Sequence, residues 1–321
     1  MRIVTFGNPN HPFMQAAVSS ISAVPGIEHA GWVLSQDGRV DPNSPKCRSY
    51  IEALRPDLFL AVGYGQILED ETLAIARVGS LNVHPSLLPK YRGLHAVYWA
   101  LYEGETETGV TVHEMIAKVD AGAILAQESL PLGPDDTMAE VYRRMMPLTA
   151  STVRGALAEI VRAGVIQGHP QEGEPSYRSA PWRDYDHQLA DWSLAGPELV
   201  RRSRMAQGRM NLRAATRRIF FESMSEAGPT TREPGTILRR RPHTLDVAAG
   251  GGTAVRAVLA RPARAWAKLL RGRLWSHLAE PREMMSDLHP PRRPVVRDVV
   301  APEVELHPDS LPRSEVGKAS R

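Results

Sequence analysis

Residues 58–84 read LFLAVGYGQILEDETLAIARVGSLNVH, and this stretch decides the fold class. The first five residues are all apolar, which is typical of a strand buried on both faces of a parallel sheet. Residues 68–78 have apolar side chains at helical spacing, and residues 80–83 return to a strand pattern. A strand, a helix and a second strand in this order predict a βαβ unit.

The same alternation continues toward the N-terminus. Residues 3–6 and 30–34 are short apolar runs, and residues 12–21 and 48–54 have helical periodicity. Strands that alternate with helices predict an α/β fold with a Rossmann-like, mostly parallel, doubly wound sheet.

The middle of the chain has a different pattern. Residues 109–115 and 123–130 alternate between apolar and polar side chains as strands do. Thr137 and Glu140 form a capping box that opens a long helix. We expect Pro147 to kink this helix or to split it in two.

The C-terminal part predicts a second, smaller domain. Three short strands are indicated near residues 236–240, 244–248 and 254–259, and residues 263–278 have the apolar stripe of an amphipathic helix. We therefore divide the chain into a larger α/β domain, a polar linker, a small β-rich domain and a Pro-rich tail that we expect to be disordered. These segments cover residues 1–168, 169–195, 196–280 and 281–321.

Composition narrows the class of protein. The 321 residues are 42% hydrophobic and 23% charged, which is enough to bury a core. The single cysteine excludes an intrachain disulfide and suits a reducing compartment. No apolar run approaches the roughly 18 residues of a membrane span, so we expect a cytoplasmic protein without a membrane partner.

The net charge of +3 is unevenly distributed. Residues 201–275 contain seventeen Lys or Arg and four Asp or Glu. Because the guanidinium fork matches phosphate, this block predicts either a surface that faces phosphates or an ordinary solvated face.

Three polar side chains form the candidate site. Asn82 and His84 lie two residues apart at the end of a predicted strand, so both side chains should project from one face at the carboxyl edge of the sheet, where open α/β sheets bind ligands. Asp120 lies in a separate loop beside Gly122. The alternative for His84 is a buried histidine that only binds a backbone carbonyl.

Four motifs closely resemble the folate-dependent formyltransferase family, which includes methionyl-tRNA, glycinamide ribonucleotide and sugar-nucleotide formyltransferases. They are NVHPSLLP at 82–89, KYRG at 90–93, GVTVH at 109–113 and DAGAI at 120–124. The resemblance implies that Asn82, His84 and Asp120 are catalytic and that the C-terminal domain is OB-like. Their physical roles fit acyl transfer: Asn82 and a His84 imidazolium held by Asp120 would stabilise a transient oxyanion, and Asp120 or His84 would take the proton of the amine.

The resemblance also implies the co-substrate, N10-formyltetrahydrofolate. The histidines have no spacing typical of a metal site and the single cysteine excludes a thiolate zinc cluster, so we expect no metal. The residues implied for folate binding are Gly63, Tyr64, Gly65, Gln66, Ile67, Leu87, Gly133, Asp135 and Asp136. For Asp135 and Asp136, plain turn chemistry ahead of the helix is an equal alternative.

Several acceptors are compatible with this resemblance. We favour a primary amine on a small molecule, in particular a nucleotide-linked amino sugar, and methionyl-tRNA is the alternative. A formyltetrahydrofolate hydrolase could use the same residues with water as acceptor; its relatives carry an N-terminal regulatory domain, which we do not expect before Ile3. An arginine-rich nucleic-acid-binding protein on a degenerate catalytic domain is a further alternative, so nucleic acid is an alternative partner that we do not favour.

Overall fold

A computed structural model of the chain describes residues 1–34, 41–179, 189–206, 210–214 and 217–260. The predicted helix at residues 263–278 and the predicted tail at 281–321 lie outside this described part. No described helix combines the length and the apolar character needed to cross a membrane.

The first sheet has six strands in the order β2-β1-β3-β4-β6-β7. The first four strands in this order, β2, β1, β3 and β4, are parallel, and β6 and β7 are antiparallel to their neighbours. The expected Rossmann-like, mostly parallel sheet is therefore confirmed. The strands are β1 (Arg2–Gly7), β2 (Glu28–Leu34), β3 (Leu58–Val62), β4 (Gly79–His84), β6 (Glu107–Glu114) and β7 (Ile124–Pro131).

The alternating side chains of β3 explain its unbroken apolar sequence. Leu58, Leu60 and Val62 belong to one core cluster, whereas Phe59 and Ala61 belong to the cluster on the other face. The helices that flank the sheet are α1 (Pro12–Ser22), α2 (Pro45–Ala53), α3 (Asp70–Leu73), α4 (Ala96–Glu103) and α5 (Met138–Ala163).

One prediction about a helix is wrong, and one of two alternatives for another helix is excluded. Helical spacing runs over residues 68–78, but α3 ends at Leu73, because the amides of Arg77 and Val78 donate to the carbonyls of Pro56 and Asp57. Pro147 does not split α5, which is one helix of 26 residues. Pro147 and Arg143 are both exposed, so the carbonyl that loses its helical partner lies on the solvent side.

The second sheet is antiparallel and confirms the small β-rich C-terminal domain. Its five strands, in the order β11-β12-β13-β10-β9, follow the helix α6 (Gly196–Ala206). They are β9 (Asn211–Ala214), β10 (Arg217–Pro229), β11 (Ile237–Arg241), β12 (Thr244–Ala249) and β13 (Thr253–Leu259). Two short strands, β5 (Arg92–Gly93) and β8 (Tyr177–Arg178), form a separate parallel pair.

The sequence pattern did not reveal β9 and β10. In β10 the buried residues Phe221 and Met224 are three positions apart, because the pairing with β13 shifts register between Phe221 and Ser223. A bulge of this kind interrupts the two-residue alternation by which a strand is recognised.

Candidate active site

The strands β4 and β6 place three polar side chains on one face of the first sheet. Leu81 and Val83 of β4 point into one core cluster, so the alternate residues Asn82 and His84 point to the opposite face. His113 of β6 pairs in register with Asn82 and shares its face.

The carboxylate of Asp120 lies at the centre of this cluster. Its Oδ1 accepts from Asn82 Nδ2 at 3.2 Å, and its Oδ2 accepts from the amide of Gly93 at 2.7 Å. His84 Nδ1 is 3.5 Å from Oδ2, and His113 Nε2 is 3.5 Å from Oδ1. The structure thus brings together the three residues that the sequence singled out.

His84 is buried, and its hydrogen bonds assign the two ring nitrogens to different partners. Nε2 donates to the carbonyl oxygen of Tyr91 at 2.8 Å, so Nδ1 is the nitrogen that faces Asp120. Both interpretations of His84 therefore hold in part, because the ring binds a backbone carbonyl and also faces the carboxylate.

The charge state of His84, which the sequence predicts to be an imidazolium, is subject to two opposing effects. Burial lowers the pKa of His84, and the nearby Asp120 carboxylate, which raises it, does not compensate. The lowered pKa favours the neutral ring, whereas the two acceptors that face the ring nitrogens, the Tyr91 carbonyl and the Asp120 carboxylate, favour the imidazolium.

The pKa of the Asp120 carboxyl is also lowered, although burial acts on it in the opposite direction. Burial by itself raises its pKa, but the rings of His113 and His84 and the amide of Gly93 outweigh that effect and lower the pKa to about 2. Asp120 is consequently ionised at neutral pH and can accept a proton.

This shift predicts acid sensitivity of the fold. A carboxyl whose pKa falls from 3.8 to about 2 on folding binds fewer protons in the folded state. Its contribution is complete above pH 4 and is lost as the pH falls toward 2. Urea unfolding should show that the parent loses about 1 kcal/mol more between pH 5 and pH 3 than Asp120→Asn does. Equal losses in the two proteins would contradict the shift.

His113 is a site residue that is absent from the set of candidate catalytic residues given above. Its Nδ1 donates to the carbonyl of Glu114 at 2.8 Å, and its Nε2 lies 3.1 Å from Asn82 Nδ2. The amide hydrogens of Asn82 thus face His113 and Asp120, so donation to a substrate oxygen requires the exchange of one of these contacts. Two signals pointed to His113: it ends the family motif GVTVH at 109–113, and it lies in a predicted strand whose register the sequence does not give.

The predicted folate segment, residues 63–67, directly follows β3. Tyr64 packs its ring edge-on against Phe6, with centroids 5.4 Å apart. Among the described residues, Tyr64 Oη and Gln66 Nε2 are buried without a hydrogen-bond partner. Gly63 has φ of +59°, Gly65 is open to solvent, and Ile67 is 66% exposed. This segment therefore offers unused polar atoms beside an exposed apolar side chain.

The other residues predicted to bind folate make contacts within the protein. Leu87 is half-buried and packs so closely on Gly109 that a Cβ there would lie 2.4 Å from its Cδ2. Asp136 accepts from the amide of Gly133 at 2.8 Å and pairs with Arg144. Asp135 pairs with Arg204 at 2.7 Å. The Asp136 contact with Gly133 closes a turn, as the alternative interpretation has it, whereas Asp135 is paired with an arginine of α6.

Comparison with known proteins identifies the family. The family model described as formyl transferase matches residues 11–154. The methionyl-tRNA formyltransferase of Enterococcus faecalis is 33% identical over 223 residues, which cover 68% of this chain and 70% of that protein. The chain belongs to the formyltransferase family. The expected enzyme class, a folate-dependent N-formyltransferase with N10-formyltetrahydrofolate as co-substrate, is thereby confirmed.

Solved structures share the fold of this formyltransferase. The N-formyltransferase of Helicobacter canadensis, solved with folinic acid and dTDP-3-aminofucose, has a TM-score of 0.57 at 15% identity over 80% of this chain and 99% of that one. HypX of Aquifex aeolicus, solved with tetrahydrofolic acid, has a TM-score of 0.57 at 20% identity. The match covers 85% of this formyltransferase and 48% of HypX, so the chain spans about half the length of HypX.

Proposed function

We propose that this formyltransferase transfers the formyl group of its donor to the primary amine of a small molecule, in particular a nucleotide-linked amino sugar. We also propose that Asn82, His84 and Asp120 act on the reacting atoms. The observation that carries the catalytic assignment is the position of the Asp120 carboxylate, which is 10% exposed and lies within 3.5 Å of polar atoms of Asn82 and His84. A carboxylate held in this way beside an imidazole forms a pair that can exchange a proton with the substrate.

The residues that would hold the donor fit it. A pteridine ring presents hydrogen-bonding groups along its edges, and Tyr64 Oη and Gln66 Nε2 are buried polar atoms without protein partners. Such atoms are costly unless they bind something, which supports residues 63–67 as part of the folate site, with Leu87 as an apolar neighbour. When bound, the donor supplies the formyl carbon. Gly133, Asp135 and Asp136 remain in the proposal only because the family resemblance implies them.

The residues of this chain handle the proton and the charge. The amine gives its proton to Asp120, which is ionised, or to the Nδ1 of His84. Asn82 Nδ2 donates to the oxygen that gains negative charge once it exchanges its 3.1 Å contact with His113. The Tyr91 carbonyl keeps Nε2 of His84 protonated, so proton exchange takes place at Nδ1.

The acceptor is inferred from the arginine-rich block. Arg201 and Arg202 pair with Glu198, Arg204 pairs with Asp135, and Arg241 and Arg256 pair with Asp246. Five arginines of the block are thus engaged by carboxylates, which reduces the positive field available to a polyanion such as tRNA. This pairing supports a small acceptor.

Methionyl-tRNA is the second candidate. The relative in Enterococcus faecalis and that in Limosilactobacillus fermentum, which is 32% identical, are both methionyl-tRNA formyltransferases. This similarity spans about two thirds of the chain and therefore includes residues beyond the α/β domain.

An acceptor panel tests the proposal. Release of tetrahydrofolate from the formyl donor is measured with dTDP-linked amino sugars, methionyl-tRNA, glycinamide ribonucleotide and hydroxyornithine, and without an acceptor. We expect kcat/KM for an amino sugar to exceed that for methionyl-tRNA by at least about 100-fold. The matched control is the same nucleotide sugar with a hydroxyl in place of the amine, which should give no release above background.

Other outcomes would assign other functions. Preference for methionyl-tRNA would establish the second candidate, and release that needs no acceptor would establish a hydrolase. If no release occurs and RNA is bound with an affinity that falls steeply with salt, the protein is a nucleic-acid-binding protein on an inactive domain.

A further inference from the structure

The chain after α5 is attached to the candidate site through residues 171–178, which we call the clasp. The sequence predicts a polar linker here, yet β8 in the clasp pairs with β5 beside the site. The amide of Arg92 donates to the carbonyl of Ser176 at 2.8 Å, and the amide of Leu94 donates to that of Arg178 at 3.0 Å. The clasp is therefore part of the site's support.

Gln171, the first residue of the clasp, holds the loop that carries Asp120. Its Nε2 donates to the carbonyl oxygens of Asp120 and Gly122, both at 2.8 Å. Asp120 itself has φ of +50°, a left-handed conformation that costs a non-glycine residue roughly 1 kcal/mol or more. The two bonds of Gln171 fix the peptide groups around this strained residue.

A buried arginine fixes the orientation of the Gln171 amide. Arg92 is 7% exposed, and its Nε and Nη2 donate to Gln171 Oε1 at 3.1 and 2.6 Å. Because Oε1 must face these donors, Nε2 must face the two carbonyls. Arg92 also directly precedes Gly93, whose amide binds the Asp120 carboxylate. Gln171 and Arg92 thus hold Asp120 from its backbone side and from its carboxylate side.

The clasp also supports the partner of His84. Ser176 Oγ accepts from the amide of Tyr91 at 2.8 Å, and the Tyr91 carbonyl accepts from His84 Nε2. One short segment therefore braces both members of the His84–Asp120 pair.

We propose that Gln171 is a positioning residue for Asp120 and that it sets kcat by keeping the carboxylate within reach of Asn82 and His84. The inference rests on the proposed function, since it takes Asp120 as the group that acts on the substrate. Displacements of about 1 Å at a reacting group can cost about 100-fold in rate, so two hydrogen bonds that fix the loop have a measurable effect.

Two substitutions separate the contacts of Gln171. Gln171→Glu keeps an acceptor for Arg92 but replaces the N–H donors by an oxygen that faces two carbonyls. Gln171→Met is of similar length and removes both sets of bonds. We expect kcat to fall about 10- to 100-fold in both variants, while KM for the formyl donor stays within about twofold. The control is Gln167→Glu, the same substitution at an exposed position outside the clasp, which should keep the kcat of the parent.

The outcomes are distinguishable from one another. Parent kcat in Gln171→Glu with reduced kcat in Gln171→Met would mean that Gln171 acts only through Arg92, and the proposal would be overturned. It would also be overturned if Gln171→Glu lowered the melting temperature but left kcat per folded molecule unchanged. Activity of Asp120→Asn, measured alongside, reports on the proposed function itself. An inactive Asp120→Asn with a fully active Gln171→Glu refutes only the role of Gln171.

Discussion

Replacement of Asp120 by asparagine should lower kcat about 100- to 10,000-fold, the range typical for the loss of a group that transfers a proton. The substitution keeps the size of the side chain, and its amide oxygen can still accept from Gly93. What it removes is the negative charge 3.5 Å from His84 Nδ1 and the ability to accept a proton at neutral pH. The decisive measurement is steady-state kinetics with the best acceptor of the panel.

Asp57→Asn is the matched control for this experiment. Asp57 is also a buried carboxylate, at 8% exposure, and it accepts from the backbone amide of Arg2 at 2.7 Å. It lies just before β3, at the opposite end of that strand from the predicted folate segment. Asp57→Asn should lose stability and keep kcat. A kcat of Asp120→Asn within threefold of the parent, or equal losses in the two variants, would refute the catalytic assignment.

Local sequence patterns were sufficient for the parts of the fold that neighbouring residues determine. The apolar run of β3, the capping box at Thr137 and the two-residue spacing of Asn82 and His84 depend only on residues close in the chain. The recognition of Asp120 depended on the family motif, because 36 residues separate it from His84.

Contacts between distant segments could not be predicted. His113 faces Asn82 only because β6 runs antiparallel to β4 in one particular register. Gln171 reaches Asp120 across 51 residues and the whole of α5. Polar residues in an irregular segment resemble a linker in sequence, and only the folded structure shows that their side chains are bound.

The charge state of His84 is a further property that cannot be predicted from the spacing of residues in the sequence. Its pKa depends on two opposing effects, the burial of the ring and the distance to the Asp120 carboxylate. The sequence indicates the carboxylate but gives no measure of burial, and here burial is the larger effect. The Asp120 carboxylate is ionised throughout the neutral range but is a weak base with a pKa of about 2, so Nδ1 of His84 stays an alternative proton acceptor.

Gly122→Ala should destabilise the protein by about 2–3 kcal/mol and also reduce kcat, because the added methyl group has no room. A Cβ at this position would lie 2.0 Å from the carbonyl oxygen of Glu114, at the end of β6, and 2.8 Å from the carbonyl carbon. Because these are backbone atoms, the loop must move to make room for the methyl group. The same loop contains Asp120, two residues before Gly122, and the Gly122 carbonyl that Gln171 binds.

Gly155→Ala should have the opposite effect on stability and thereby tests the steric argument. Gly155 is an exposed position inside α5, and a Cβ there meets no atom within 4 Å. Alanine is favoured over glycine in a helix interior by about 0.8–1.0 kcal/mol, so urea unfolding should show a gain of that order and kcat should equal that of the parent. If Gly122→Ala were as stable and as active as Gly155→Ala, the loop of Asp120 would not be packed against β6 as described.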